Sequence, residues 1–173
     1  GKHFFSYRYD YRDEWLRFTQ TLSATGSQPE MGQQIVRALA DLVESPAGAL
    51  WVRDAAGRAY VQAAFWNMPE DAAEEPVESA LSSFLRDSGW VVNLEEYRSS
   101  PLRYGDLELP EWLRHTPHAW LVVPLAVGSD LIGFAILATA RTRIDVNWEV
   151  NDLLKTAARQ AASFLGQMRA AEA

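Results

Sequence analysis

Residues 119–140 read AWLVVPLAVGSDLIGFAILATA, two apolar and largely β-branched runs on either side of Gly128-Ser129-Asp130. Two such runs around a tight turn predict a pair of antiparallel strands, a central hairpin. Nearly every position in both runs is apolar, so both faces of the pair need cover. Gly133 interrupts the second run. A strand glycine of this kind marks either a packing accommodation or the close approach of a ligand.

Elsewhere the hydrophobic period switches between helix and strand. Tyr11, Trp15, Phe18 and Leu22 recur at spacings of four, three and four. They predict a helix over residues 10–24, ended by Thr25-Gly26-Ser27. Ser27 as cap and Pro29 in the first turn then open a second helix, with Met31, Ile35, Ala38, Leu39 and Leu42 on one face. The period falls to two in AGALWVRD and RAYVQAAFW, and Asp54-Ala55-Ala56-Gly57 between them completes a first hairpin. Asn67-Met68-Pro69 and the acidic run to Glu75 read as a solvated loop. Val77, Leu81, Phe84 and Leu85 mark a helix closed by Ser88-Gly89, and residues 90–94 a short strand. Residues 95–118 form a long irregular connection, broken by a short helix that Pro110 starts. After the central hairpin, Asn147 caps a long helix in which Val150, Leu154, Ala157, Ala161, Phe164 and Met168 make a heptad seam. Such a seam calls for a partner chain or a continuing protein, with sheet packing able to absorb its first half.

A chain of 173 residues accommodates one domain with a substantial core. With 48% hydrophobic residues and seven Trp it is globular rather than disordered. Sixteen basic against twenty-three acidic residues leave a formal charge of −7, so the basic face that phosphate binding requires is missing and nucleic acid is not an expected partner. The absence of Cys removes disulfides, thiolate nucleophiles and Cys-ligated metals, and fits a reducing compartment. No apolar run reaches the roughly 20 residues that span a bilayer. The expectation is a soluble piece without direct membrane contact. A start at Gly1 adds the expectation of a piece excised from a longer protein.

Catalytic patterns are weak. Glu111, His115 and His118 form E-x-x-x-H-x-x-H, but Pro117 breaks the helix before His118 and the zincin spacing is missing, so no metal is expected. Neither a G-x-S-x-G elbow nor a Walker loop occurs. Asp106 and Glu108 read as a solvated charge run rather than an acid–base pair. No catalytic residue is assigned.

The order helix, helix, hairpin, helix, strand, long loop, hairpin, helix resembles a GAF domain. LVVPLAVGSDLIGFAIL is similar to that family's hairpin of PL, short turn and aliphatic-Gly-aliphatic, and the resemblance covers residues 29–168. KHFFSYRYDYRDEWLRFTQTLS resembles the segment entering the GAF domain of membrane-anchored sensor histidine kinases of PEP-CTERM, exosortase-associated systems. The resemblance implies an α+β, GAF-like and PAS-related fold. Its central antiparallel sheet has five to six strands, with the N- and C-terminal helices on one face and the long loop and short helices over the other. Residues 1–28 would be a signalling linker helix and residues 29–173 the GAF domain, its last helix leading to a kinase core that this chain lacks.

The function so implied is a non-catalytic sensory module of a bacterial two-component kinase, the cytoplasmic domain of an inner-membrane protein. It would form a homodimer through its terminal helices, acting on its own kinase core and through it on a response regulator. The dimer and signalling seam would comprise Tyr11, Trp15, Phe18, Leu22, Val150, Leu154, Ala157, Ala161, Phe164 and Met168. Neither the Cys of bilin-binding relatives nor the Asn-Lys-Phe-Asp-Glu string of cyclic-nucleotide-binding ones is present, so no cofactor is expected and any small-molecule ligand is unidentified. The family's pocket lies between sheet and long connection. Trp66, Trp90, Tyr97, Arg103, Tyr104, Trp112, His115 and Trp120 are its candidate lining, with Arg103 suited to an anion. The same Trp residues also suit a plain core. Two alternatives stand: a structural dimerisation module whose long connection fills the cavity with Trp112, and a small GAF-fold enzyme like the free methionine sulfoxide reductases, whose cysteines this chain lacks.

Overall fold

The computed structural model describes residues 13, 16–20 and 28–172, with side chains over 13, 16–20 and 31–167. Helix α1 (Gln28–Leu42) precedes a hairpin of β1 (Gly48–Arg53) and β2 (Ala59–Trp66). Then come β3 (Glu74–Pro76), α2 (Ala80–Ser88), β4 (Val92–Asn93), α3 (Leu94–Ser99), a 3-10 turn (Pro101–Tyr104) and α4 (Glu111–Arg114). The central hairpin β5 (Ala119–Val127) and β6 (Asp130–Ala138) leads to α5 (Trp148–Glu172). The strands form one six-stranded sheet in the order β3-β2-β1-β6-β5-β4, antiparallel throughout.

Alternation along the strands divides the interior into two cores. Leu50, Val123, Leu125 and Leu137 point to a helix-side core with α1 and α5, while Trp51, Val122, Phe134 and Ile136 point to a loop-side core under α2 and α4. Both faces are covered, as the unbroken apolar runs of the central hairpin require. Gly133 belongs to the packing accommodation. In β6, Gly133 faces Leu125 and Leu131 faces Ala126, so Ile132 is an unmatched bulge residue, and the neighbours Leu131 and Ile132 serve opposite cores. A Cβ at Gly133 would collide with the carbonyl oxygen of Trp51, so the close approach there is made by β1 of the same chain.

Two caps fall where the sequence places them, whereas the expected Ser27 cap and most of the helix expected over residues 10–24 lie outside the described residues. The Asn147 side chain accepts from the backbone N–H of Val150 at 3.0 Å, and Gly89, at φ 67°, donates its N–H to Leu85 O at the end of α2. Other expectations are corrected. The solvated loop ending at Glu75 contains strand β3, which pairs with β2, and both Met68 and Glu75 are buried. The strand expected over 90–94 stops at Asn93, because the Asn93 carboxamide oxygen accepts from the N–H groups of Glu95 and Glu96 and starts α3. The connection over 95–118 is thus largely short helices rather than one irregular loop.

The seam also reads differently in three dimensions. Tyr11, Trp15 and Leu22 lie outside the described residues, whereas Phe18 is buried in the helix-side core. Val150, Leu154, Ala157 and Ala161 are buried in that same core, joined by Leu153, Ala158, Ala162 and Leu165. The apolar stripe of α5 is therefore the broad face of a helix lying on a sheet, wider than a coiled-coil seam. Phe164 is half-buried at its border, and the Met168 side chain lies outside the described ones.

Candidate functional site

The face where the resemblance places a pocket is filled by the chain's own rings. Trp112 of α4 stacks on Trp51 of β1 with ring centroids 4.7 Å apart and planes 22° apart. Trp51 in turn lies nearly parallel to Phe134 of β6, centroids 6.0 Å apart and planes 5° apart. The indole N–H of Trp112 donates to Glu75 Oε1 at 2.8 Å, so the buried carboxylate of β3 and the ring of α4 satisfy one another.

An open groove lies instead beside β4, between the α3 region and the start of α5, with a volume of about 670 Å³. One wall carries Trp90 and Tyr104, the other Trp148, Asn151, Asp152 and Lys155 of α5, and Val91 and Val146 contribute apolar lining. The α5 residues recur at i, i+3, i+4 and i+7, which aligns them on one stripe of the helix. Trp90 is held edge-on against Phe84 and Tyr104, at 5.9 and 6.4 Å. Two large aromatics are nonetheless exposed here, Trp90 at 47% and Trp148 at 71%.

Behind Trp90 a polar network fixes the wall. The Tyr104 hydroxyl donates to Glu96 Oε1 at 2.6 Å and accepts the backbone N–H of Asn93 at 3.0 Å. Arg103 Nη1 donates to Glu96 Oε2 at 3.0 Å. Burial, and secondly the hydrogen bond to Glu96, push the Tyr104 hydroxyl up to about 12. Because the folded state holds this proton more tightly, the stabilisation is complete below about pH 10, the ordinary tyrosine value. It is lost as pH rises towards about 12. Burial raises the Tyr60 hydroxyl as well, so absorbance titration of tyrosinate is expected to show late components from both residues, and Tyr104→Phe should remove its own at a cost of about 1 kcal/mol in stability for the lost hydrogen bonds.

Of the eight candidate pocket residues, the structure brings Trp90, Arg103 and Tyr104 to this groove. Tyr97 packs behind, its ring 6.1 Å from Tyr104 and its hydroxyl donating to Leu107 O. Trp112 lies in the aromatic stack, and exposed His115 turns Nδ1 back onto the Glu111 carbonyl at 2.9 Å. Trp66 and Trp120 face the helix-side core and neither lines this groove, although Trp120 lines a neighbouring opening together with Arg103. Trp66 packs at the helix-side core under the guanidinium of Arg37, and Trp120, at an unmatched position in β5, turns into that core. Sequence reasoning missed Trp148, Asn151, Asp152 and Lys155. Their signal is the polar stripe just after the Asn147 cap, which resembles the solvated face of any amphipathic helix.

A family model described as GAF domain matches residues 29–165 of the chain. No curated protein matches its sequence. Among solved structures, the GAF domain of a phosphoenolpyruvate-protein phosphotransferase from Coxiella burnetii is similar at 15% identity and TM-score 0.73, over 94% of this chain and 96% of that one. The corresponding domain from Acinetobacter has 17% identity and TM-score 0.69, over 91% and 93%. A methyl-accepting chemotaxis protein fragment has 14% identity and TM-score 0.68, over 90% and 99%. At these identities the likeness is one of fold.

Proposed function

The chain belongs to the GAF domain family, and from that membership we propose that it is a non-catalytic sensory module that relays a signal along α5 to a histidine kinase core in a longer protein. The observation that carries this reading is α5 itself. It is one continuous helix of 25 residues whose first part is buried on the sheet. Its later turns pass the tips of both hairpins, where Ser163, Gly166 and Gln167 face Arg53, Val127 and Asp130. Arg53 and Asp130 tie the two tips together through paired hydrogen bonds of 2.6 and 3.2 Å. A change in the sheet thus has a rigid helix to act on, and a signal that binds two helix arrangements unequally shifts their populations. Dimerisation through the terminal helices, with Phe164 and Met168 in the seam, belongs to the same proposal, as do a membrane-anchored parent of the PEP-CTERM type and a downstream response regulator. Among the described residues no helix is long and apolar enough to cross a membrane.

The test is an insertion series. With the chain joined in helical register to a sensor kinase core, one to seven residues are inserted after Glu172 and autophosphorylation is measured. Relay through a dimeric helix predicts activity that rises and falls with the helical repeat of about 3.5 residues. A flat response to insertion length overturns the relay. A second reading, a structural dimerisation module without a ligand, is favoured for the loop-side face by Trp112 stacked on Trp51. It leaves the groove beside β4 unexplained.

A further inference from the structure

The groove combines features that ordinary surfaces avoid holding together. Trp148 is the most exposed aromatic at its rim, at 71%, and makes no ring contact among the described residues. Leaving an indole in water forgoes the favourable burial of a large apolar surface, so two exposed indoles on a concave surface mark a contact site. The opposite wall is already organised, because Trp90 is braced by Phe84 and Tyr104, and Glu96 is engaged by Arg103 and Tyr104.

Charge then narrows the occupant. Asp152 and Lys155 line the groove one turn apart, and neither makes a side-chain hydrogen bond or ion pair among the described residues. One unengaged charge of each sign, on residues whose Cβ atoms lie about 5–6 Å apart on a helix face, can converge from two sides on a small molecule whose own opposite charges sit close together. The carboxamide of Asn151, one turn before Lys155 and on the same wall, can donate to a carboxylate.

We propose that the groove beside β4 binds a free amino acid with an aromatic side chain. Its ring lies between Trp90 and Trp148, its ammonium meets Asp152, and its carboxylate meets Lys155 and Asn151. Two exposed indoles suit a flat ring, and the polar groups fix its orientation, the usual division of labour in a small-molecule site. The inference supplies a ligand class for the sensory reading and rests on that reading only for its biological meaning. Binding is measured on this chain alone, whereas relay is measured by the insertion series, so either can fail without the other.

The experiment is a titration with L-phenylalanine followed in the indole N–H region of a nitrogen–proton correlation spectrum, the signals being assigned with Trp90→Phe and Trp148→Phe. Saturable shifts of the Trp90 and Trp148 signals are expected. Phenethylamine, lacking the carboxylate, and 3-phenylpropionate, lacking the ammonium, should bind at least about tenfold more weakly, equivalent to about 1.4 kcal/mol. Asp152→Asn, at an exposed position, and Lys155→Gln, at a half-buried one, both outside the two cores, should each weaken L-phenylalanine binding about as much. No saturable shift at about 10 mM, where even millimolar affinity would register, overturns the proposal. So do equal affinities for the three probes, or shifts at Trp112 in place of Trp90 and Trp148.

Discussion

Gly133→Val is expected to lose most of the domain's stability, on the order of 3 kcal/mol or more, measured as a fall in the urea midpoint. The added Cβ would meet the carbonyl oxygen of Trp51, with the Trp51 carbonyl carbon and Val52 Cα each 3.2 Å away. None of these is the yielding end of a side chain. Relief requires β1 and β6 to separate, and these are the two middle strands of the sheet, paired from Gly48–Leu137 to Val52–Gly133. Both cores are built across that pair, so the damage is shared. Gly57→Ala provides the contrast. Gly57 sits in the turn between β1 and β2 at φ 72° with open space where a Cβ would go, and the penalty there is conformational alone, about 1 kcal/mol. Similar losses for the two variants would mean that the β1–β6 contact is not the reason for glycine at 133.

Trp112→Ala is expected to cost about 3 kcal/mol, at the lower end for truncating a large aromatic because the ring is only partly buried. Two losses combine. The faces of Trp51 and Phe134 lose a stacked neighbour, and Glu75 Oε1 loses the indole N–H that it accepts from. The hole left behind has the shape of an indole, with an acceptor at its rim. Millimolar indole should therefore raise the urea midpoint of Trp112→Ala and leave the native chain unchanged, by mass action on the folded state. A variant as stable as the native chain and indifferent to indole would show that α4 does not close the sheet.

Much of this architecture was legible from hydrophobic period. The central hairpin, the first hairpin, α1, α2 and the capped start of α5 all come from long segments in which spacing and turn residues agree. Glu74–Pro76 was hidden because its three residues are two acids and a proline, a composition typical of loops. It becomes a strand through tertiary contacts, with Glu75 buried against Trp112. Helix α3 was hidden by its length of six residues, too short for a periodic signal, although Asn93 followed by two glutamates carries an N-cap signature. The candidate site was the least legible part. Aromatic composition identified Trp66 and Trp120 as readily as Trp90, but bulges decide which face a strand residue serves, and the sequence around Trp120 gives no sign of one. The spacing of four and three in α5 shows an apolar line but not its width: the inner face also includes Leu153, Ala158, Ala162 and Leu165, which pack in the helix-side core.

The Tyr104 hydroxyl that accepts the Asn93 N–H has a consequence for behaviour at high concentration. β4 is an outermost strand, and an outward amide on such a strand is a template on which another chain can add. Here that donor is already occupied from within. The opposite border is also a poor template, since β3 is three residues long, ends in Pro76 and exposes Glu74. Both borders thus discourage strand-to-strand polymerisation, and copies of this domain can be crowded together without their sheets seeding aggregates.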